Sequence, residues 1–511
     1  MPKQSIDRRK FLKVAAAATL GGTGELMAST QTDRAADLHE LGLAAAARAI
    51  RNREISSEAL VGALLERSRV HADLKAFITI DEAAAFEAAR HADQLVRGGR
   101  NAPLLGVPLA VKDHYLTKGL TTTFGTSVLE NYKPTRDAAA VAGIKQAGAI
   151  VIGKNNLVEM SYGITGLNAH YGQVKNPYDG AHVTGGSSSG AGASVAARLV
   201  PAALGGDTVG SIRIPASLCG VVGYKPTPGR WPNEGVAPIS GTLDTTGLLA
   251  RSVEDCALVD AVLTKGPVPN WNATPNLKGV RLAHAPRQYL AGVDADVESA
   301  FRETLRKLKD AGGELVEVDL GADYLALTDR VTWPIFFHET MPAIRAFLAA
   351  YDVPVSFEDI YAGLGDEIRA RWVRAVLPTS AGYFSTDKYR TALTTHRQEL
   401  RGRLATIAFG RADALLFPTT PCAAPRIDNQ WKFQAGGRDV IDVFLCRNTH
   451  PSSSAGVPGI NLPMALNAQG LPLGLELDAA FGRDRDLLAL AGRVERVIGR
   501  VPGPVGFGSA A

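Results

Sequence analysis

The feature that most constrains the fold of this chain is the alternation of helical segments with compact apolar runs. Residues 37–97 are rich in Ala, Leu, Glu and Arg at helical spacing, and the apolar run 104–111 follows them. The order repeats with a helical pattern over 138–147 and a β-prone run over 149–152. Apolar runs of this kind are typical of strands that are buried on both faces. The alternation therefore predicts an α/β fold with a largely parallel sheet.

The chain is long enough for two domains, but its texture favours one. Its 511 residues show no internal repeat and no long linker. About residues 322–403 form a helical, aromatic-rich segment, after which the apolar runs 414–417 and 471–477 return to the α/β texture. We expect a single large domain over residues 37–511.

Charge and cysteine content exclude several classes of partner and site. The formal net charge is +4, from 55 basic and 51 acidic residues, which is too small at this length to indicate binding to nucleic acid. The four cysteines are far apart and form no C-x-x-C pair, so we expect buried thiols instead of a zinc or redox site. His338 and Glu339 begin an H-E-x-x-H pattern, but Pro342 occupies its last position. We therefore expect no metal.

The first 36 residues have the layout of an export signal. Residues 7–13 read DRRKFLK, and a run of small apolar residues over 14–22 follows. A charged segment before a short apolar run is typical of a signal peptide, and the twin arginine followed by Phe-Leu-Lys resembles a bacterial Tat signal. The apolar run is too short to span a bilayer. We expect cleavage between Ala28 and Ala36, and a periplasmic enzyme that is not held at a membrane after export.

Two motifs match known sites only in part. Residues 148–154 read GAIVIGK, close to the Walker A spacing, but Asn155 replaces the Ser or Thr that holds magnesium. Residues 186–190 read GSSSG, which fits the nucleophile elbow of α/β-hydrolases with Ser188 as the nucleophile. That elbow needs a strand directly before it, whereas residues 176–184 are polar and turn-like. Histidines are available further along the chain, so an esterase of the α/β-hydrolase type remains an alternative.

Three segments in chain order carry the strongest chemical signal: GVPLAVKD over 106–113, GGSSSG over 185–190 and GGDTVGSIRIP over 205–215. Lys112 closes an apolar run, and an amine in an apolar site has its charged form disfavoured, so it can serve as a base without histidine. Ser211 follows a glycine-containing loop, which can turn several backbone N–H groups toward one point, as an oxyanion hole requires. Ser187 can stand between them and relay a proton.

Together these segments resemble the amidase signature family of Ser-cisSer-Lys amidohydrolases. The resemblance runs from about residue 57 to residue 499 and includes the later stretches LARS at 249–252, PTTP at 418–421 and GLPLG at 470–474. It implies the fold of that family, which is one large domain with a central twisted, mixed, mostly parallel sheet covered by helices on both faces. It also implies that no cofactor and no metal take part.

The resemblance assigns a role to each member of the triad. Ser211 is expected to attack the amide carbonyl and to carry the acyl group. Ser187, joined to Gly186 by a cis peptide bond in this family, is expected to relay the proton. Lys112 is expected to accept that proton and to return it to the leaving amine.

The resemblance also predicts an oxyanion hole, formed by the backbone N–H groups of Thr208, Val209, Gly210 and Ser211. Three further residues are expected to support this loop: Ser188, Asp207 and Arg213. The sequence departs from the family at Val209, where a glycine is common, and at Leu248, where a proline is usual. The valine keeps its N–H, so the hole can form, but its branched side chain stiffens the loop. If this position required φ > 0, the valine would strain the hole.

These roles predict hydrolysis of a small carboxamide to a carboxylic acid and ammonia or an amine, with esters as additional substrates. The texture resembles bacterial aryl-amide hydrolases such as mandelamide and indoleacetamide hydrolases, and segment 322–403 would suit an aryl group on the substrate side. A component of a tRNA-dependent amidotransferase, which acts on glutamine in a complex, is an alternative that the export signal disfavours. The intact triad disfavours a non-catalytic binding protein. The oligomeric state stays open, with a homodimer as one alternative.

Overall fold

A computed structural model describes residues 38–267 and 275–507, so the predicted export signal over residues 1–36 lies outside the described residues. The chain builds an eleven-stranded sheet in the order β1-β3-β2-β4-β6-β5-β12-β13-β9-β7-β8, and β10 and β11 pair separately. The strands are β1 Phe77–Ile80, β2 Pro108–Lys112, β3 Ile150–Asn155, β4 Ala202–Asp207, β5 Val222–Lys225, β6 Thr245–Ala250, β7 Arg281–His284, β8 Glu314–Glu317, β9 Ala414–Pro418, β10 Lys432–Ala435, β11 Arg438–Ile441, β12 Gly459–Leu466 and β13 Pro472–Asp478.

The large sheet is covered on both of its faces. Every residue of β2, β6, β9 and β13 is buried. Because successive side chains of a strand point to opposite faces, neither face of these strands can be open to water. One large hydrophobic core extends from Leu38 to Val494. The predicted single α/β domain is therefore confirmed.

Parallel and antiparallel ladders divide the sheet into blocks. β2 pairs in parallel with β3 and β4, and β7 pairs in parallel with β8 and β9. The ladders between β4 and β9, and the one at the β1 edge, are antiparallel. The predicted mixed sheet is confirmed, with a larger antiparallel share than the alternation of helices and strands indicates. One reason is that a short turn joins β12 to β13, and a tight connection permits only antiparallel pairing.

The predicted helical segments are present. Residues 38–97 hold three α-helices, the second of which has Ser56 as its N-cap, and five α-helices lie within segment 322–403. The helices are α1 Leu43–Arg51, α2 Ser57–Val70, α3 Glu82–Arg97, α4 Ala139–Gln146, α5 Ser189–Ala196, α6 Arg213–Leu218, α7 Val253–Leu263, α8 Pro286–Tyr289, α9 Ala295–Asp310, α10 Tyr324–Ala350, α11 Phe357–Gly363, α12 Asp366–Ala375, α13 Thr386–Thr391, α14 Arg397–Arg403, α15 His450–Ala455 and α16 Asp484–Ile498. Across residues 38–267 and 275–507, no helix has both the length and the apolar character needed to cross a bilayer.

The close packing around Gly190 explains why the GSSSG motif ends in glycine. An added Cβ would lie 2.6 Å from the backbone nitrogen of Asn156 and closer still to the carbonyl oxygen of Ala76, so α5 packs directly against backbone. We predict that Gly190→Ala lowers the free energy of unfolding by about 1–3 kcal/mol, because overpacking forces the backbone to shift. Chemical denaturation measures this change.

Gly402 in α14 provides the matched control, since nothing lies within 4 Å of its added Cβ. Gly402→Ala should raise the free energy of unfolding by up to about 1 kcal/mol through helix propensity alone. A Gly190→Ala variant as stable as the wild type would show that α5 is not held at this contact.

Candidate active site

Lys112 is the last residue of β2 and is completely buried. Its amine donates a hydrogen bond to the Ser187 hydroxyl over 2.7 Å. Burial lowers the pKa of Lys112 to about 7, and the negative charges of Asp244 and Asp207 oppose this decrease. A substantial fraction of the amine is therefore uncharged near neutral pH, and an uncharged amine can accept a proton.

A backbone hydrogen bond joins the segments of the two predicted serines. The N–H of Ser188 donates to the carbonyl oxygen of Ser211 over 3.1 Å. Ser187 is completely buried just before α5, and the Gly186–Ser187 peptide bond is cis, as the family resemblance implies. The structure thus brings Lys112, Ser187 and Ser211 together from three separate segments of the chain.

Ser188 is engaged with the neighbouring strand β4. Its hydroxyl donates to the carbonyl oxygen of Gly206 over 3.2 Å and accepts from the N–H of Gly206 over 3.3 Å. No strand directly precedes Ser188, because residues 184–188 form bends and loop. The structure does not form the strand-to-helix elbow that an α/β-hydrolase nucleophile requires. Ser188 instead holds the end of β4, in keeping with the support that we predicted from it.

The carboxylate of Asp207 organises the loop that leads to Ser211. It accepts hydrogen bonds from the N–H groups of Gly210 and Ile212 over 2.8 and 3.2 Å, and from Nε of Arg213 over 3.0 Å. Burial alone would raise the pKa of Asp207, but the adjacent Arg213 charge outweighs burial and lowers it. The predicted supporting roles of Asp207 and Arg213 rest on these contacts.

The four predicted oxyanion donors differ in their hydrogen bonding. The prediction is wrong for Gly210, because its N–H donates a hydrogen bond to Asp207 and is not available to an oxyanion. Among the described residues, the N–H groups of Thr208, Val209 and Ser211 have no acceptor. Val209 does not have a positive φ, so the valine introduces none of the strain considered from the sequence. Three backbone donors therefore remain for an oxyanion.

Ser211 opens into a cavity of about 350 Å³ with mostly apolar walls. Helix α10 supplies Trp333, Phe336 and Phe337, and Tyr162 and Trp431 complete the aromatic lining. Part of segment 322–403 therefore faces the predicted nucleophile.

Other residues of the same segment have different surroundings. Arg371 of α12 also lines the cavity, where it forms an ion pair with Asp442 over 2.6 Å. Trp372 is buried and stacks on Phe357 instead. The segment thus contributes both to the cavity wall and to the core behind it.

Lys112 lines a second cavity, of about 210 Å³. Thr208 and Ile239 line both cavities, and Asp244 and His114 line the second one. Burial, together with the charge of Lys112, lowers the pKa of His114 well below its ordinary value, so this imidazole is neutral. Ser211 thus lines the first cavity and Lys112 the second, and the two cavities share part of their lining.

The other sequence motifs have structural roles. Lys154, the lysine of the near-Walker segment, is buried and donates to the carbonyl oxygen of Tyr115 over 2.6 Å, so it faces no phosphate-binding loop. Glu339 accepts hydrogen bonds from Thr242 and Tyr389. All four cysteines are free and buried. Within the described part of the chain, no group of His, Cys, Asp and Glu side chains could hold a metal ion.

Sequence reasoning missed several residues that shape the site. Asp244 accepts from the Thr208 hydroxyl over 2.7 Å, and the Thr449 hydroxyl donates to the carbonyl oxygen of Val209 over 2.8 Å. Ser453 donates to Asp207 over 3.1 Å. The polar stretch 449–454 was a signal that could have been used, because three consecutive serines inside an apolar region indicate buried hydrogen bonding.

Comparisons with known proteins agree with this architecture. The family model described as Amidase matches residues 59–488. Mandelamide hydrolase from Pseudomonas putida is 37% identical over 490 residues, which cover 92% of this chain and 94% of that protein. A glutamyl-tRNA(Gln) amidotransferase subunit from Roseiflexus castenholzii is also 37% identical over 490 residues, covering 90% and 96%. Indoleacetamide hydrolase from Allorhizobium ampelinum is 33% identical over 455 residues, covering 88% and 96%.

A solved amidase crystal structure superposes with a TM-score of 0.79 at 32% identity, covering 90% of this chain and 100% of that one. Fold and relatives together define a hydrolase of amide C–N bonds. The chain belongs to the amidase family, as the three sequence segments indicated.

Replacing Lys112 with methionine should change how stability depends on pH. The ordinary lysine pKa of 10.5 applies in the unfolded chain, whereas the folded chain releases this proton above about pH 7. Between these values the unfolded state binds more protons, so the wild type gains stability as the pH rises. We predict that the stability difference favours Lys112→Met most at or below pH 7 and declines by up to about 1.4 kcal/mol per pH unit above it.

Urea denaturation of both proteins at several pH values from 6 to 9 measures this slope. Lys118 is exposed, so Lys118→Met is the matched control and should show no such slope. Parallel stability curves for Lys112→Met and the wild type would contradict a lowered pKa at this site.

Proposed function

We propose that this chain hydrolyses small carboxamides, foremost aryl amides and also esters, through an acyl-enzyme on Ser211. One observation carries the proposal: the buried Lys112 amine is hydrogen-bonded to Ser187 over 2.7 Å beside a serine that opens into an aromatic cavity. A base, a relay and a nucleophile at one point are what acyl transfer to serine requires.

The proton moves in two steps in this proposal. Uncharged Lys112 accepts the hydroxyl proton of Ser187, which in turn accepts the proton of Ser211 as its oxygen attacks the amide carbon. The carbonyl oxygen becomes an oxyanion held by the N–H groups of Thr208, Val209 and Ser211, and each such donor can contribute roughly 3 kcal/mol. The same path returns the proton to the leaving nitrogen as the C–N bond breaks. Water then attacks the ester on Ser211 and releases the acid.

The cavity supports an aryl acyl group. The cavity that contains Ser211 is lined by the aromatic rings of Trp333, Phe336 and Phe337. An aryl group bound there can pack against these rings edge-to-face or offset-stacked, which are the favoured arrangements of aromatic pairs. The relatives named mandelamide hydrolase and indoleacetamide hydrolase fit the same preference. The glutamyl-tRNA(Gln) amidotransferase relative keeps glutamine as a second candidate substrate.

Ammonia release from a panel of amides tests the proposal. The panel contains aryl acetamides, aliphatic amides and glutamine, assayed with the wild type, Ser211→Ala and Ser187→Ala. We expect the aryl acetamides to be the best substrates and Ser211→Ala to lower kcat by roughly 10³-fold or more.

The matched control is Ser68→Ala, because the Ser68 hydroxyl only bonds the carbonyl oxygen of Leu64 within α2. It should turn over like the wild type. Undiminished turnover by Ser211→Ala would refute the assignment of the nucleophile. Preference for glutamine would support the amidotransferase-like alternative.

We also propose that the chain is exported by a Tat-type route and works in the periplasm. The support is the sequence DRRKFLK at residues 7–13 and the short apolar run over residues 14–22 that follows it.

Replacing Arg8 and Arg9 together with lysine tests the export route. We predict that the double variant stays in the cytoplasm with its leader uncleaved, because the twin arginine is the part of the signal that is read. Cell fractionation measures this, with Lys3→Arg as the control that should still be exported. Unchanged periplasmic yield of the double variant would contradict the proposal.

A further inference from the structure

Asp244 contacts both Thr208 and the backbone of residues 239–240, and it lines the same cavity as Lys112. It directly precedes β6 and lines the second cavity together with Lys112 and His114. One carboxylate oxygen accepts from the Thr208 hydroxyl over 2.7 Å, and the other accepts from the N–H groups of Ile239 and Ser240 over 2.8 and 3.0 Å. With these donors the carboxylate is held in one orientation.

Residues 208–211, which carry the proposed oxyanion donors, are called the oxyanion loop. Thr208 is the first residue after β4, so Asp244 fixes the start of this loop. Asp207 fixes the rest of that loop through the N–H groups of Gly210 and Ile212. The N–H groups of Thr208 and Val209 lie between these two anchors. A shift at Thr208 would therefore turn both donors away from the oxyanion.

Asp244 also differs from Asp207 in its charge partners. Asp207 forms an ion pair with Arg213 over 3.0 Å, whereas within the described residues Asp244 forms no ion pair with Lys, Arg or His. Asp244 thus supplies a negative charge near the Lys112 amine that no cation in this part of the chain compensates.

The charged and titratable groups around Lys112 come from several elements. Those that face it are Asp244 before β6, Asp207 at the end of β4 and the neutral His114 after β2. Lys154, whose charge also acts on His114, is paired with Asp113 over 3.2 Å. Because Asp207 and Lys154 each have an opposite charge beside them, Asp244 is the group whose removal should change the field at the amine most.

Helix α10 is tied to the same loop through Glu339. The Glu339 carboxylate accepts from the N–H and hydroxyl of Thr242 over 3.0 and 2.6 Å, from the Ser240 hydroxyl, and from the Tyr389 hydroxyl of α13 over 2.7 Å. The same helix supplies the aromatic wall of the substrate cavity. The loop 239–244 therefore links the substrate-side helices to the oxyanion loop.

We propose that Asp244 is a positioning residue for this site. It holds Thr208 at the start of the oxyanion loop and places a negative charge toward the Lys112 amine, and Glu339 joins the loop 239–244 to α10. The inference rests on the proposed function, because it assigns Asp244 a role in the Lys112 and Ser211 chemistry. Desolvation raises the pKa of Asp244 to about 6, so the carboxylate is charged at neutral pH.

The two roles are separated by a pair of variants. Asp244→Asn removes the charge and turns the oxygen that accepts from the Thr208 hydroxyl into an amide donor, while the amide oxygen can still accept from the N–H groups of Ile239 and Ser240. It should lower kcat at least about tenfold by loosening the loop. Loss of the negative charge lowers the pKa of Lys112, so the acidic limb of kcat/KM should move to lower pH by up to about 1 unit. Thr208→Val keeps the charge and removes the hydroxyl, so kcat should fall with the limb unmoved.

Glu339→Gln is the matched control for charge, because it neutralises a second carboxylate that is hydrogen-bonded to the same loop but belongs to α10 and does not contact Thr208 or Lys112. It should change KM for the aryl amide and leave the acidic limb in place. Each profile is recorded from pH 5 to 9 by amide turnover and by the rate at which an alkyl fluorophosphonate inactivates Ser211, which needs no acceptable amide. Circular dichroism and thermal unfolding report the fold of each variant. Should Asp244→Asn fail to fold, Asp244→Ser leaves room for water among the same donors and carries the same expectation.

The outcomes distinguish the inference from the proposed function. A wild type whose Ser211 is neither acylated nor phosphonylated refutes the proposed function, and the inference with it. A reactive wild type with an acidic limb that Asp244→Asn leaves in place refutes the charge role of Asp244. If Glu339→Gln moves the acidic limb of kcat/KM as far as Asp244→Asn does, the shift is a general effect of the loop, and the assignment to Asp244 is overturned.

Discussion

The buried ion pair between Arg213 and Asp207 is the interaction on which the site depends. It joins the end of β4 to the start of α6 over 3.0 Å, and Arg213 also reaches Glu476 of β13 over 3.1 Å. The remaining guanidinium bonds go to α15 and the residue before it: Thr449, Ser452 and Ser453. Burial opposes the charge of Arg213, yet its acidic neighbours outweigh burial and keep its pKa above the ordinary value. A permanent buried charge is stabilised by such complete pairing, so the segment from β4 to α6 must meet two distant segments, β13 and α15, at this point.

Lys112 is a second buried basic residue of the same site, but its pKa is lowered where that of Arg213 is raised. Its amine is as completely buried as Arg213, but its bonded partner is the neutral hydroxyl of Ser187, and no carboxylate in the described part of the chain forms an ion pair with it. Desolvation therefore outweighs the opposing charges of Asp244 and Asp207 and lowers the pKa of Lys112 to about 7. The contrast follows from chemistry, since a guanidinium cannot be deprotonated in a protein and an amine can. The structure thus separates a permanent structural charge from a group that can exchange its proton.

The sequence predicted the residues of the site better than it predicted their surroundings. Lys112, Ser187 and Ser211 could be found because each lies in a short segment of distinctive composition, and the order of the segments identified the family. Asp244 and Thr449 could not be found, because they lie 36 and 240 positions along the chain from the loop residues that they bind, and only the fold brings them there. The alternation of helices and strands likewise predicted the fold class without the antiparallel block around β12 and β13, which depends on turn length and strand order.

The loop 208–211 shows why a valine can stand where the family resemblance leads us to expect glycine. Within the loop only Gly210 has φ in the left-handed region, at 133°, and its added Cβ would collide with the Thr449 side chain. The requirement for glycine is therefore located at Gly210, which is also the residue whose N–H binds Asp207. Val209 keeps a backbone conformation that any residue can adopt, and it lines the cavity that contains Ser211. One residue thus contributes its backbone to the proposed oxyanion hole and part of the wall of that cavity, so the cavity can change shape here without loss of a donor.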